Sequence, residues 1–321
     1  VLELTFGSVG AQRVRFAVVP AEETLGAVRA AAMPDRAPLH RAWASTAHAT
    51  LAGLDAAELV ATITGRDYFP DFLSPPPAGQ DTTLAQQLDR LRETPADQVA
   101  TELALAFAGR RLPNRLVGDP AAARDLLAQQ IERCWQALLE PIWTRVADVL
   151  AADIAHRARQ YAAGGLAAVL ADLHPAVSHR PGAVTVRSRH RAHIELDERG
   201  LILAPRAINW PEVGVMMLPP WPPMLVYPAR GAATVWEGPA EPPPDLAGVV
   251  GRAKARLLAE LVEPANTAAL ARRLGLAAGT VSEHLRALRA AGLVGSRRVG
   301  RVVEYEITGL GRALVEGVDP R

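Results

Sequence analysis

Toward the end of the chain, apolar residues fall into short helical stripes separated by turn residues. Val281, Leu285 and Leu288 stand at i, i+4 and i+7, one face of a helix predicted over about 279–290. A helix over about 267–274 turns Ala269, Leu270 and Leu274 inward. Another over about 249–262 does so with Ala253, Leu257, Leu258 and Leu261. Gly275 allows a sharp turn between the second and third of these, and Leu276 packs back into the core. After Gly292 come two strands, about 294–299 and 302–307, joined at Val299, Gly300 and Arg301, and a final helix over about 309–316. The spacing is that of a helix-turn-helix followed by a hairpin.

The longer N-terminal part reads as α+β. Leu2–Phe6 and 13–19 are β-like, and Pro20 leads a helix with Glu22 and Glu23 in its first turn. Helical stretches follow around 37–51, 55–63 and 81–92, with SPPPAGQ at 74–80 as a loop or a short extended segment. From 96 to 172 the pattern is mostly helical. Trp135, Leu139, Trp143, Val146 and Leu150 share one stripe, Pro141 interrupts the run, and Gly164 and Gly165 end it. Near 183 the character changes to short β-like runs: AVTVRS, HIELD, LILAP, VGVMML and MLVYPA. Residues 197–200 read as the turn between HIEL and LILAP, and PPWPP at 219–223 as extended. The fold class expected is α+β: a mixed N-terminal domain of helices and an antiparallel sheet over 1–237, a proline-rich linker over 238–247, and a C-terminal winged helix-turn-helix over 248–321.

Composition changes this picture little. Apolar residues make up 49% of the 321 and charged residues 21%, ordinary values for a globular protein. No run is long and apolar enough for a membrane span, and VLELTFGSVG lacks the pattern of a signal peptide, so the cytoplasm is the expected location. Cys134 is the sole cysteine. It cannot form an intrachain disulfide and reads as a small buried hydrophobe. Charge is more informative. Residues 251–321 carry 12 Arg+Lys against 7 Asp+Glu, whereas residues 1–250 carry 23 against 27. A basic bias gathered on the small C-terminal segment is the footprint of a nucleic-acid module.

The stretches ALARRLGLAAGTVSEHLRALRAAGLV and SRRVGRVVEYEIT then carry a resemblance. Over roughly 250–317 the chain resembles the winged-helix domain of the ArsR family of bacterial transcriptional regulators. The resemblance implies a dimeric operator-binding protein, usually a repressor, whose DNA affinity responds to an effector. The LELTF start, RGLILAPRAINWPEVGV and PPWPPMLVYPARG resemble a poorly characterised, DUF5937-like domain that precedes such winged helices in actinobacterial regulators. Two departures stand out. Ala277 occupies the position where the family places a capping Ser or Thr, so Gly279 or Thr280 is expected to start the third helix. The paired cysteines of metal-sensing members are missing, so metal sensing does not carry over.

Candidate residues follow from faces and charge. Thr280, Ser282, Glu283, His284, Arg286 and Arg289 of the third helix are read as facing a major groove. Arg297, Arg298, Gly300 and Arg301 form the hairpin tip, placed for phosphates or a minor groove. Thr267 is read both as a cap and as a backbone contact at the start of the second helix. For each arginine the plain alternative is a solvated surface, and for Arg286 an i, i+3 pair with Glu283. His190 and His193 read as a polar turn rather than as metal ligands, and His156, Arg157 and Arg159 as helix surface. Trp135, Trp143, Trp210, Trp221 and Tyr227 are candidates for an effector pocket, with ordinary core and dimer packing as the alternative.

The sequence lacks P-loop, GxGxxG, GxSxG and HExxH motifs, so no enzyme, cofactor or metal is expected. The expected partners are double-stranded operator DNA, a second copy of the chain and a small non-metal effector, with no membrane. The competing readings are a winged helix used for protein contact, and an enzyme-like N-terminal domain fused to a DNA-binding tail.

Overall fold

The computed structural model describes residues 1–6, 13–65, 68–79, 82–188, 190–196, 200–208, 211–216, 218–219, 221–236, 244–261, 264–299 and 302–316. The chain divides into two compact units, Val1–Trp236 and Glu237–Arg321. No helix among the described residues is long and apolar enough to cross a membrane.

The first unit is built around α1 (Pro20–Ala32), with Pro20 at its start, where the missing N–H costs nothing. Buried residues run around the whole of α1, so it is a core helix and not an amphipathic cover. Packed on it are α2 (Arg41–Ala52), α3 (Ala57–Ile63), α4 (Leu84–Arg92) and α6 (Pro120–Cys134), and α5 (Ala96–Ala106) packs on α6. Thr83 and Gln86 close a reciprocal capping box on α4, and the Asp119 carboxylate accepts from the N–H groups of Ala121 and Ala122 to start α6. A π turn over Trp135–Leu139 and a tight turn around Pro141 lead into α7 (Trp143–Ala171). The predicted stripe is present. Leu139, Val146 and Leu150 are fully buried in one cluster, with the rings of Trp135 and Trp143 4.7 Å apart against it. Gly164 and Gly165 break α7 but do not end it: Gly165 takes φ +65°, and the helix resumes in a new direction.

Among the described residues the strands of the first unit form two sheets, both mixed, where one antiparallel sheet was expected. The first has the order β3 (Val177–Arg180), β4 (Ala183–Val186), β1 (Leu2–Phe6), β5 (Ala192–Leu196). Its β1–β4 and β3–β4 pairs are antiparallel and its β1–β5 pair is parallel. The second has the order β2 (Val14–Phe16), β6 (Leu201–Arg206), β8 (Met224–Pro228), β7 (Gly214–Met216). There β2–β6 and β6–β8 are parallel and only β7–β8 is antiparallel. Strands β6 and β8 are buried along their whole length, as central parallel strands covered on both faces must be. The segment 197–200 therefore joins strands of different sheets and does not close a hairpin. Of its residues 197–199 lie outside the described set. His193 is not in a turn but in β5, exposed and 3.6 Å from Glu3.

Buried polar groups tie the helices to the second sheet. Glu22 on α1 pairs with Arg206 at the end of β6, 3.1 Å away, and accepts from the Ser74 hydroxyl. The Glu23 carboxylate accepts from the backbone N–H groups of Ala207 and Ile208 at 2.6 and 3.0 Å. Burial raises its pKa to about 7 against those hydrogen bonds. His40 is buried and accepts from the indole N–H of Trp236 at 2.7 Å, and burial lowers its pKa to about 4. Cys134 is fully buried, which pushes its thiol up to about 12.

The second unit contains α8 (Pro244–Val250), α9 (Arg252–Glu260), β9 (Ala265–Asn266), α10 (Thr267–Leu274), α11 (Ala278–Ala290), β10 (Val294–Val299), β11 (Val302–Ile307) and α12 (Gly309–Glu316). Two sequence expectations change. The linker does not extend to 247, because Pro244 opens α8 and Leu246 is buried in the core of this unit. The helix expected over 249–262 is two helices, parted at Gly251 with φ +85°.

Candidate nucleic-acid interface

The core of the second unit is an apolar cluster drawn from α8–α11, the strands and the turns between them. It includes Leu257, Leu258, Leu261, Leu270, Leu274, Val281, Leu285, Leu288, Leu293 and Ile307. Burying Val281, Leu285 and Leu288 fixes the rotation of α11 about its own axis. The opposite face then follows from the 3.6-residue period. Thr280, Glu283, Arg286, Ala287, Arg289 and Ala290 are exposed, and Ser282 and His284 are half-buried at the flanks. Two guanidiniums and two alanines share this outward surface, so positive charge lies beside side chains small enough to admit a groove wall. Arg286 and Glu283 form no ion pair among the described residues.

The turn before α11 has the expected chemistry and one shift in its caps. Gly275 takes φ +64°, ψ +34°, and its N–H and that of Leu276 donate to the carbonyls of Arg272 and Ala271. The cap of α10 is Asn266, whose side-chain oxygen accepts from the N–H of Ala269 at 2.9 Å. Thr267 is the first residue inside the helix and is half-buried, so the expectation that it caps α10 is corrected. An Asx side chain three residues before the donating N–H is the signal that points to Asn266. The start of α11 is corrected as well. The helix begins at Ala278, with Ala277 at the cap position and no side-chain acceptor there. Its first N–H groups are left for solvent or an anion.

In the hairpin, β10 and β11 pair antiparallel with Arg297 opposite Glu304, Arg298 opposite Val303 and Val299 opposite Val302. Asn266 and Ala265 of β9 add a third strand beside Glu304 and Tyr305. Arg297 donates to the Glu304 carboxylate at 2.9 Å and its Nε is buried without a hydrogen-bond partner. The expected tip cluster is thus divided. Arg297 is a half-buried cross-strand anchor, while Arg298 is exposed. The symmetric placement of Arg297 and Glu304 about the tip was the available sequence signal. Gly300 and Arg301 lie outside the described residues. Tyr305 and Ile307 pack against the helices as expected.

The aromatic residues proposed for an effector pocket do not meet in one place. Trp135 and Trp143 meet with their rings tilted by 58°, Trp221 lies in the helical core with Arg90 over its ring, and Tyr227 lies in the sheet core. Trp210 lies outside the described residues. The Tyr227 hydroxyl donates to Asp153 at 2.8 Å, so its polar end is already engaged. Arg157, expected on a helix surface, is 1% exposed. Among the described residues no group of three or more His, Cys, Asp or Glu side chains could hold a metal ion.

Comparison with known families agrees with this division. Residues 256–296 match the model of the bacterial regulatory protein, arsR family, and residues 99–233 match a family of unknown function, DUF5937. Comparison with curated proteins and with solved structures gives no match.

Proposed function

We propose, for a chain in which a DUF5937 domain precedes an ArsR-family DNA-binding domain, the role of a sequence-specific transcriptional repressor. The observation that carries this reading is the outward face of α11. Arg286, Arg289 and Thr280 are exposed on a helix whose apolar stripe is fully buried, next to a hairpin that presents Arg298. The chain acts as a symmetric dimer, α11 of each copy entering the major groove of one half-site. Its first unit serves dimerisation and reception of a non-metal effector, and the protein has no catalytic role. It works in the cytoplasm, on duplex operator DNA.

Selection of bound genomic fragments by the purified full chain, followed by binding measurements across salt concentrations, tests this. A palindromic operator and a steep loss of affinity with salt are expected. Affinity indifferent to salt would sink the reading. Arg286→Ala should cost about 1–3 kcal/mol on the operator and relax its sequence preference. Arg298→Ala should weaken all sequences alike and lower the salt slope by about 1. If both variants hold the operator as tightly as the parent, the groove-facing surface is wrongly assigned.

A further inference from the structure

The first unit contains an open cavity of about 600 Å³ that the DNA-binding reading does not use. It lies past the carboxyl end of β8, where residues 228–233 leave the sheet, and is closed by the segment 172–175 that follows α7. Crevices beyond the carboxyl ends of parallel strands are where open α/β sheets receive ligands.

The chemistry of the wall is uneven. Leu39, Leu173, Pro175, Pro211, Ala232 and Ala233 give it an apolar side. Arg157 and Arg230 give it a charged one, which the Asp172 carboxylate and His174 share. Arg157 is held from behind: its Nε stands 3.7 Å from Asp153, its Nη1 donates to Gln160 at 3.0 Å and to Asp172, and its guanidinium lies 5.8 Å from the centre of the Tyr227 ring. The break at Gly164 and Gly165 turns the chain back so that Asp172 reaches this arginine fifteen residues earlier. Asp153 accepts from the backbone N–H of Arg230 at 3.0 Å, fixing that residue at the rim. The Arg230 side chain is exposed and makes no ion pair or hydrogen bond among the described residues. Burial, and then the charges of Arg230, Arg157 and Arg159, hold the neighbouring His156 below its ordinary pKa. Asp153 and Asp172 are thus both directed at Arg157, and the Arg230 side chain at the rim forms no ion pair among the described residues.

We propose that this cavity binds a small organic acid, its carboxylate held by Arg230 and its apolar body against the proline, leucine and alanine wall. The size exceeds what an inorganic anion needs and falls in the range of small-molecule sites, roughly 300–1,000 Å³. Arginine offers the planar paired donors that match a carboxylate. Asp172 is taken up by Arg157, so Arg230 is the charged group of this wall that no side chain of the described residues holds, and it favours an anionic ligand. The use of the site as an effector site rests on the DNA-binding reading, but occupancy itself does not.

The test uses the full-length protein without DNA. Straight-chain acids from acetate to octanoate, with benzoate and phenylacetate, are titrated by ligand-observed NMR and calorimetry, each beside its primary amide. At least one acid should bind about tenfold or more tighter than its amide, because the charged hydrogen bonds are lost in the amide. Arg230→Ala should weaken that acid about tenfold or more with an unchanged melting curve, since the backbone bond to Asp153 survives the substitution. The proposal is overturned if no acid binds, if acid and amide bind alike, or if Arg230→Ala binds like the parent. A chain that binds the acid but no DNA upholds the site and removes its regulatory meaning. A chain that binds DNA but no acid does the reverse.

Discussion

Among the described residues, every buried polar or charged side chain belongs to the first unit, while the buried side chains of the second are apolar throughout. The second unit is held by one stripe per helix closing on a shared centre. The first adds carboxylates and guanidiniums that join α1 to the end of β6 and α7 to the end of β8. The two kinds of core fail in different ways. An apolar core loses stability in proportion to the volume removed. A core with buried charge loses most when one partner is stranded.

The largest expected effect breaks such a pair. Arg206→Met leaves Glu22 buried without its cation and should destabilise the first unit by about 3–5 kcal/mol. Adding Glu22→Leu should recover most of that in denaturant unfolding followed by tryptophan emission, since all six tryptophans precede residue 237. A double variant no better than the single one would show that the pair does not act as a unit. In the second unit, Leu285→Ala removes the centre of the apolar cluster and should cost about 2–5 kcal/mol. It should abolish DNA binding while the tryptophan-reported transition stays where it was.

A third comparison is internal to the first unit and concerns pH. Glu23 has a folded pKa of about 7 against an ordinary 4.5, so its contribution is complete below about pH 4.5 and is lost as pH rises through 7. His40 has a folded value of about 4 against 6.5, so its contribution is complete above pH 6.5 and is lost as pH falls through 4. The two slopes oppose each other over nearly the same window, and the parent should show a shallow profile there. Glu23→Gln should uncover the His40 slope, stability falling on acidification from 6.5 to 4, by on the order of 3 kcal/mol. His40→Gln should uncover the opposite slope. Denaturation midpoints at half-unit pH intervals decide it, and parallel profiles for all three proteins would show that neither group titrates as described. The smallest effect is a gain. Ala277→Ser supplies the missing acceptor at the start of α11 and should stabilise the second unit by about 0.5–1 kcal/mol.

This contrast also governs how much could be read in advance. Val281, Leu285 and Leu288 specify the inner face of α11 with no reference to distant residues, so the outer face followed at once. The errors in the second unit are local: Asn266 in place of Thr267 as cap, a helix start at Ala278, and a break at Gly251. In the first unit the elements were legible one by one, including β1, α1, the stripe from Trp135 to Leu150 and the interruption at Pro141. Their assembly was not. Strand β3 has one buried residue in four and gives no alternating signal. Parallel pairing of β1 with β5 and of β2 with β6 leaves no turn to detect. Arg157 looked like a surface arginine because its partners, Asp172 and Tyr227, come from later elements. The sequence groups Arg297, Arg298 and Arg301 at the hairpin tip, but which one is an anchor depends on register, and register places Arg297 opposite Glu304.

The parallel pairings also set an order of events. Strand β2 has its partner at 201–203 and Glu23 its hydrogen-bond donors at 207 and 208. On a chain made from its N-terminus, these groups wait for nearly two hundred further residues before they can be satisfied. The first unit is therefore a slow folder of high contact order that completes late in synthesis. The second unit, whose contacts all fall within some seventy residues, can fold as soon as it emerges. A nascent first unit cut short before β6 would keep α2, α3, α4 and α6 on α1 but lack Arg206 and the 207–208 backbone, leaving Glu22 without its cation and Glu23 without its donors.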